Sequence, residues 1–192
     1  MGLLQPHGRG RRLLRRNGLT APNPFEIASL RRNDSLVPVI ARSGATKQSR
    51  AGTPPVIIIH SLAHAVAALS AAAEAGRPVT LASAPDAGIY AGSGWFGALV
   101  AAARAAVPAA QGAALLDCGD DAGAAQAAIR AGIEGIIFTG PADLAERLAD
   151  IAGQRGARLL TARPVPALDL ETQFFASPEA LRRRCREAFR SD

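Results

Sequence analysis

Apolar residues follow two regimes along this chain. Up to residue 53 they are scattered among Pro, Gly, Asn, Ser and Arg with no sustained period. From Pro54 onward, short β-branched runs alternate with longer Ala- and Leu-rich stretches. Pro55-Val56-Ile57-Ile58-Ile59-His60 reads as a strand buried on both faces. Leu62–Ala75 reads as a helix closed by Gly76. Pro78–Ser83 is a second strand, and Ser93 is the expected N-cap of a helix through Val107 that Pro108 ends. Gly112–Asp117 is a third strand, followed by a helix capped by Asp120 or Asp121 and running to Ala131. Glu134–Thr139 is a fourth strand, with Pro141 at the first position of a helix to Gln154. Ala157–Ala162 is a fifth strand. A loop of about a dozen residues leads to a last helix at Ser177-Pro178-Glu179, whose Leu181, Cys185 and Phe189 share one face.

Five βα units in succession predict an α/β domain over residues 54–192. Its parallel sheet of about five strands is either open and doubly wound or part of a barrel. A full eight-stranded barrel takes roughly 200 residues or more, and about 139 lie in this part of the chain. Closure of a partial barrel by a second chain makes a homo-oligomer one candidate partner.

Charge changes the picture once it is divided. The chain has 192 residues and a formal charge of +6, which taken whole suggests a nucleic-acid binder. Residues 1–53 hold ten basic and two acidic side chains, a net +8. Residues 54–192 hold twelve basic and fourteen acidic, a net −2. Nucleic acid is therefore not an expected partner of the folded part. The single lysine, Lys47, lies in the first region, against 21 arginines in the whole chain. Without a lysine the folded part has no amine for Schiff-base or pyridoxal-phosphate chemistry and no Gly-Lys-Ser/Thr phosphate loop.

Residues 1–53 bury too little apolar surface to offset their ordering entropy, and read as a disordered basic segment. It could be a nucleic-acid or lipid-binding arm, a targeting peptide, or no natural segment at all. The stretch Val37-Pro38-Val39-Ile40-Ala41-Arg42-Ser43-Gly44-Ala45-Thr46-Lys47-Gln48-Ser49 resembles a peptide that recurs where an intergenic repeat is translated at the edge of a reading frame. The resemblance implies a true start near Thr53 and favours the last reading. Arg11-Arg12-Leu13-Leu14-Arg15-Arg16 breaks any signal-peptide core, and no apolar run has membrane-spanning length. Two cysteines make no disulfide framework. The expected setting is cytoplasmic, with no membrane partner.

A parallel sheet binds ligands at the carboxyl ends of its strands. Those ends carry His60-Ser61, Ser83 with Asp86, Asp117-Cys118-Gly119-Asp120-Asp121, Thr139-Gly140, and Thr161 with Arg163. Asp117 is the candidate acid or base, if burial raises its pKa. His60 and His64, four apart, would need a third ligand such as Asp117 or Cys118 to bind zinc, and capping or a core edge is the plainer reading. No metal is therefore expected. The connection Ala84–Phe96 is longer than usual and holds the lone Tyr and Trp. Gly92-Ser93-Gly94 before a helix is the candidate anion cradle, with Asp86, Tyr90 and Trp95 around it. The arginines 182–184 and 186 read as a solvated helix face.

Ala114-Leu115-Leu116-Asp117-Cys118-Gly119, then Ala127–Gly132 and Gly135–Gly140, resembles the class II metal-dependent fructose-bisphosphate aldolase family over about 27 residues. That resemblance implies a barrel-derived fold and a catalytic role for Asp117. Cys118 stands where the family has a metal-binding histidine. Asp117, Thr139 and Arg163-Pro164 also resemble the response-regulator receiver, although His60-Ser61 replaces its acidic pair. The expected function is binding of a small anionic ligand at the strand ends. Asp117 and His60 would carry any chemistry, and Ser61, Asp86, Tyr90, Ser93, Gly94, Thr139 and Gly140 would hold the ligand. The cofactor stays unassigned. The rival reading is a non-catalytic receiver-like or scaffold domain acting through protein partners.

Overall fold

The computed structural model describes residues 53–190. The readings placed on residues 1–52, including the arginine pairs and the repeat-like peptide, lie outside the described residues.

Among the described residues six strands build one sheet: β1 Val56–Ile59, β2 Val79–Ser83, β3 Gly112–Asp117, β4 Gly135–Ile137, β5 Arg158–Leu160 and β6 Leu168–Asp169. The helices are α1 Leu62–Ala75, α2 Ala87–Tyr90, α3 Gly92–Ala106, α4 Ala122–Arg130, α5 Ala142–Gln154 and α6 Pro178–Ala188. All pairings are parallel, in the order β5-β4-β3-β2-β1-β6. The α/β parallel fold expected from the sequence is present, with one strand more.

Capping chemistry explains several boundaries. Ser61 starts α1 by accepting from the His64 N–H at 3.3 Å, and Gly76 ends it in the left-handed conformation that glycine adopts without a Cβ penalty. Asp121, rather than Asp120, caps α4 by accepting from the Ala124 N–H at 2.8 Å. Ser177 caps α6 in the same way, with Pro178 in its first turn. Two expectations need correction. The N-cap of α3 is Ala91, not Ser93, and it makes no side-chain cap bond, because α2 runs almost directly into α3. The loop before α6 contains β6 and a 3-10 turn at Glu171–Gln173.

The sheet is open. Strands β1 to β5 lie side by side in chain order, and β6 returns to the far side of β1, so the order reverses between β1 and β6. Crossovers of one hand between the neighbours β1 to β5 put α1, α3, α4 and α5 on one face. The packing agrees: Ile57, Ile59, Leu81, Leu116 and Ile136 point into a core shared with α1, α3, α4, α5 and α6. The alternate positions Val56, Ile58, Ala82, Leu115, Ile137 and Leu160 form a second, smaller cluster made of strand residues alone. β1 is therefore half-buried on alternate residues, not buried on both faces. The receiver-like reading does not fit this topology, since receivers have the order 2-1-3-4-5.

Candidate functional site

At the carboxyl ends of the strands, polar side chains form two groups. The first centres on Asp117, the last residue of β3, whose side chain is 3% exposed. Its Oδ1 accepts from the N–H groups of Asp86 at 3.1 Å and Gly119 at 2.9 Å. Arg163 adds a third partner, with Nε 2.6 Å from Oδ2 and Nη2 3.2 Å from Oδ1. Arg163 Nη2 also bonds Asp86 Oδ1 at 2.7 Å. One guanidinium thus bridges two carboxylates, and Nη1 makes none of these bonds.

Local backbone shape makes this network fit. Asp86 is the single described non-glycine residue in the left-handed region, at φ 61°. That conformation is costly for a residue with a Cβ, and such strain clusters at ligand clamps and active sites. Gly119, at φ 54°, leaves space where a Cβ would meet the Asp86 carboxylate.

Burial pushes the Asp117 carboxyl up and is its largest single influence. The Arg163 bond and the two N–H donors outweigh burial together, and the group sits below the usual carboxylate range. The acid–base role expected for Asp117 required a raised value, and the direction is the reverse. Arg163 moves the other way from its ordinary value, upward, chiefly through its bond to Asp117. Tyr90 lies within the field of both carboxylates: burial, then Asp86 and Asp117, raise its phenol.

The second group centres on His60, just past β1. Its Nε2 is 2.8 Å from Asp169 Oδ1, and that oxygen also accepts from the Glu171 N–H at 2.9 Å. Pairing of β6 with β1 brings the two residues together across 109 positions of chain. His64 is fully buried in α1; its Nδ1 accepts from the His60 N–H at 3.2 Å. Burial and the nearby His60 lower the His64 pKa, against the Gln173 carbonyl and Asp169.

The expected site residues divide accordingly. Asp117, Asp86 and Tyr90 come together, and Thr139 lies beside them through its N–H bond to the Gly119 carbonyl at 2.7 Å. Gly140 is placed by packing, since a Cβ there would enter the Phe138 ring. His60 stands with Asp169, while the Ser61 hydroxyl is occupied as a helix cap. Ser93 and Gly94 lie in the first turn of α3, and nothing crowds a Cβ at Gly94. Cys118 points into the helical core, fully buried, with its thiol pushed up to about 12 by burial and then by Asp117 and Asp121. It is not available as a metal ligand. Among the described residues, no group of three or more His, Cys, Asp or Glu is placed to hold a metal ion. No helix among them is long and apolar enough to cross a membrane. The sequence shows Arg163 at a strand end without assigning it a role, and it does not point to Asp169. Arg163-Pro164 was visible as a strand-end signal, whereas Asp169 depends on a strand too short to show a period.

No protein-family model matches the chain, and no curated protein matches it. Among solved structures, it is similar to a Coccidioides immitis chain described as a candidate fructose-1,6-biphosphate aldolase, at 21% identity and a TM-score of 0.47. That likeness covers 55% of this chain and 39% of the other.

Proposed function

We propose that the chain binds a small, singly charged anion, such as a carboxylate, at the carboxyl end of its sheet. The observation that carries this reading is the fixed guanidinium of Arg163. Two carboxylates hold its Nε and Nη2 edge, and Nη1 is left to meet an oxygen ligand. Its two remaining N–H donors are both on Nη1, and a guanidinium held in place presents them in a fixed direction to the oxygens of an anion. Asp86 and Asp117 already offset its charge, so binding rests on directed N–H donors, and a polyanion is disfavoured. Asp117 is then a positioning residue, with Tyr90 and Thr139 beside the ligand.

An aldolase-like βα ancestry belongs to the same reading. It is supported by the residues around Asp117 and by the sequential strand order, which barrel segments share. The two buried free thiols fit a reducing, cytoplasmic setting.

NMR titration with acetate, pyruvate and inorganic phosphate tests the binding. Pyruvate or acetate should shift resonances of Arg163, Tyr90 and Thr139, and phosphate should do so more weakly. Arg163→Lys keeps a cation for Asp117 but lacks the fork, and should weaken binding about tenfold. Equal binding by that variant would sink the assignment.

One further observation favours a second reading, in which binding precedes proton transfer. His60 is held through Nε2 by Asp169, which leaves Nδ1 to act as a base. Exchange of the pyruvate methyl protons in heavy water, lost in His60→Asn, would support it. No exchange above the buffer rate leaves binding alone.

A further inference from the structure

Eight large apolar side chains are exposed among the described residues, and Ile151 on α5 and Val165 after β5 stand apart from the rest. The other six follow three strands: Leu62 after β1, Ile89, Tyr90 and Trp95 after β2, and Phe174 and Phe175 after β6. Those strands are neighbours in the order β2-β1-β6, so the six side chains fall along one arc of the carboxyl rim. Phe175 is 98% exposed, and its ring lies 5.4 Å from that of Phe174. Single exposed apolar residues are ordinary, but six along one rim mark an interaction surface.

Carboxylates lie within and beside this arc. Asp86, Asp120 and Asp121 follow β2 and β3, and Asp169 and Glu171 lie at β6. Local roles account for three of them: Asp121 caps α4, Asp86 holds Arg163, and Asp169 holds His60. Asp120 and Glu171 are exposed and enter no ion pair among the described residues. An acidic, aromatic surface repels phosphate backbones and anionic lipid, and suits guanidinium groups, which stack on rings and fork onto carboxylates.

The same chain carries such groups elsewhere. On α6, Arg182 pairs with Glu179 and Arg186 with Glu74. Arg183 and Arg184 are exposed and enter no ion pair among the described residues. Neither lies over an aromatic ring among the described residues.

We propose that the arc receives Arg183 and Arg184 of a second copy of this chain. Donor and acceptor surfaces differ, so the contact is head-to-tail and propagates into a ring or an open chain. Charge complementarity sets its direction and makes it sensitive to salt.

Sedimentation velocity on the full chain tests this with a charge swap. The wild type should associate at low ionic strength and dissociate as salt is raised. Arg183→Glu with Arg184→Glu, and separately Asp120→Arg with Glu171→Arg, should each associate about tenfold more weakly alone. An equimolar mixture of the two variants should associate again, since each supplies the charge the other has lost. Melting temperatures near the wild-type value would show that both variants are folded. A wild type that stays monomeric at low salt overturns the proposal. So does a mixture that fails to reassociate. Association that survives Arg183→Glu with Arg184→Glu assigns the arc to another basic occupant and overturns the second-copy contact.

Discussion

Arg163 reaches back from beyond β5 to the end of β3, where its Nε lies 2.6 Å from Asp117 Oδ2. The contact spans two strand positions and ties the segment after β5 to the middle of the sheet. Replacing Asp117 by Asn should cost about 2–3 kcal/mol: the amide oxygen still accepts from the two backbone N–H groups, but an NH2 then faces the Arg163 Nε and the guanidinium loses its counter-charge. The pH dependence has a definite sign. The folded carboxyl sits below its ordinary value of 3.8, so its contribution is complete above that value. It is lost as pH falls through the folded value. Urea unfolding at neutral pH and near pH 3 should show a smaller acid-induced loss in Asp117→Asn than in the wild type.

His64 behaves in the opposite chemical sense. Its folded pKa is below 6.5, so the unfolded chain takes up a proton first. Stability is therefore complete above about 6.5 and declines as pH falls toward the folded value. The melting temperature of His64→Leu should change less between pH 7 and pH 5 than that of the wild type. A steeper change in the variant would contradict this linkage.

Both thiols should be inert in the native protein. Cys118 and Cys185 are fully buried, and burial pushes each up to about 12. Thiolate is the reactive species. Iodoacetamide should label neither residue in buffer and both in denaturant, as read by peptide mass spectrometry. Labelling of either in the folded chain would place it at the surface.

Gly88 has a steric reason to be glycine. A Cβ there would lie 2.6 Å from Cys118 Sγ, 3.0 Å from the Asp117 carbonyl oxygen and 3.2 Å from Cys118 Cα. Two of those atoms are backbone and have little freedom to move. Gly88→Ala should destabilise by about 1–3 kcal/mol and weaken the Asp86–Arg163 contact. Gly94→Ala, with nothing within 4 Å of its Cβ, should be tolerated. Denaturant midpoints of the two variants make the comparison.

The elements that were legible in the sequence are those with strong local punctuation. Leu62–Ala75 and Gly112–Asp117 match their expected bounds because Ser61, Gly76 and the turn after Asp117 act within a few residues. Strand order was not legible: an apolar run such as Val56–Ile59 looks the same in a doubly wound sheet and in one covered on a single face. β6 was invisible because two residues show no alternation, and its pairing depends on a strand far away in the chain. Of the site, Asp117, Asp86 and Tyr90 were readable from their place after strand ends. Arg163 could be seen but not ranked, since its role depends on how the segment after β5 folds back. Ser93 was misread as a cap because α2 cannot be told from a loop in four residues.

The pairing of β6 with β1 bears on the chain as it leaves the ribosome. β1 is synthesised before the other described strands, yet its outer edge meets no strand among the described residues until Leu168 and Asp169 emerge. α1 likewise waits for Leu181 and Cys185 to cover its apolar side. During that interval a nascent chain presents an unpaired strand edge and an uncovered helix together, the surfaces most prone to wrong association. Interrupting translation between β5 and β6 should therefore yield a chaperone-dependent, aggregating product, although five of the six strands have already been made.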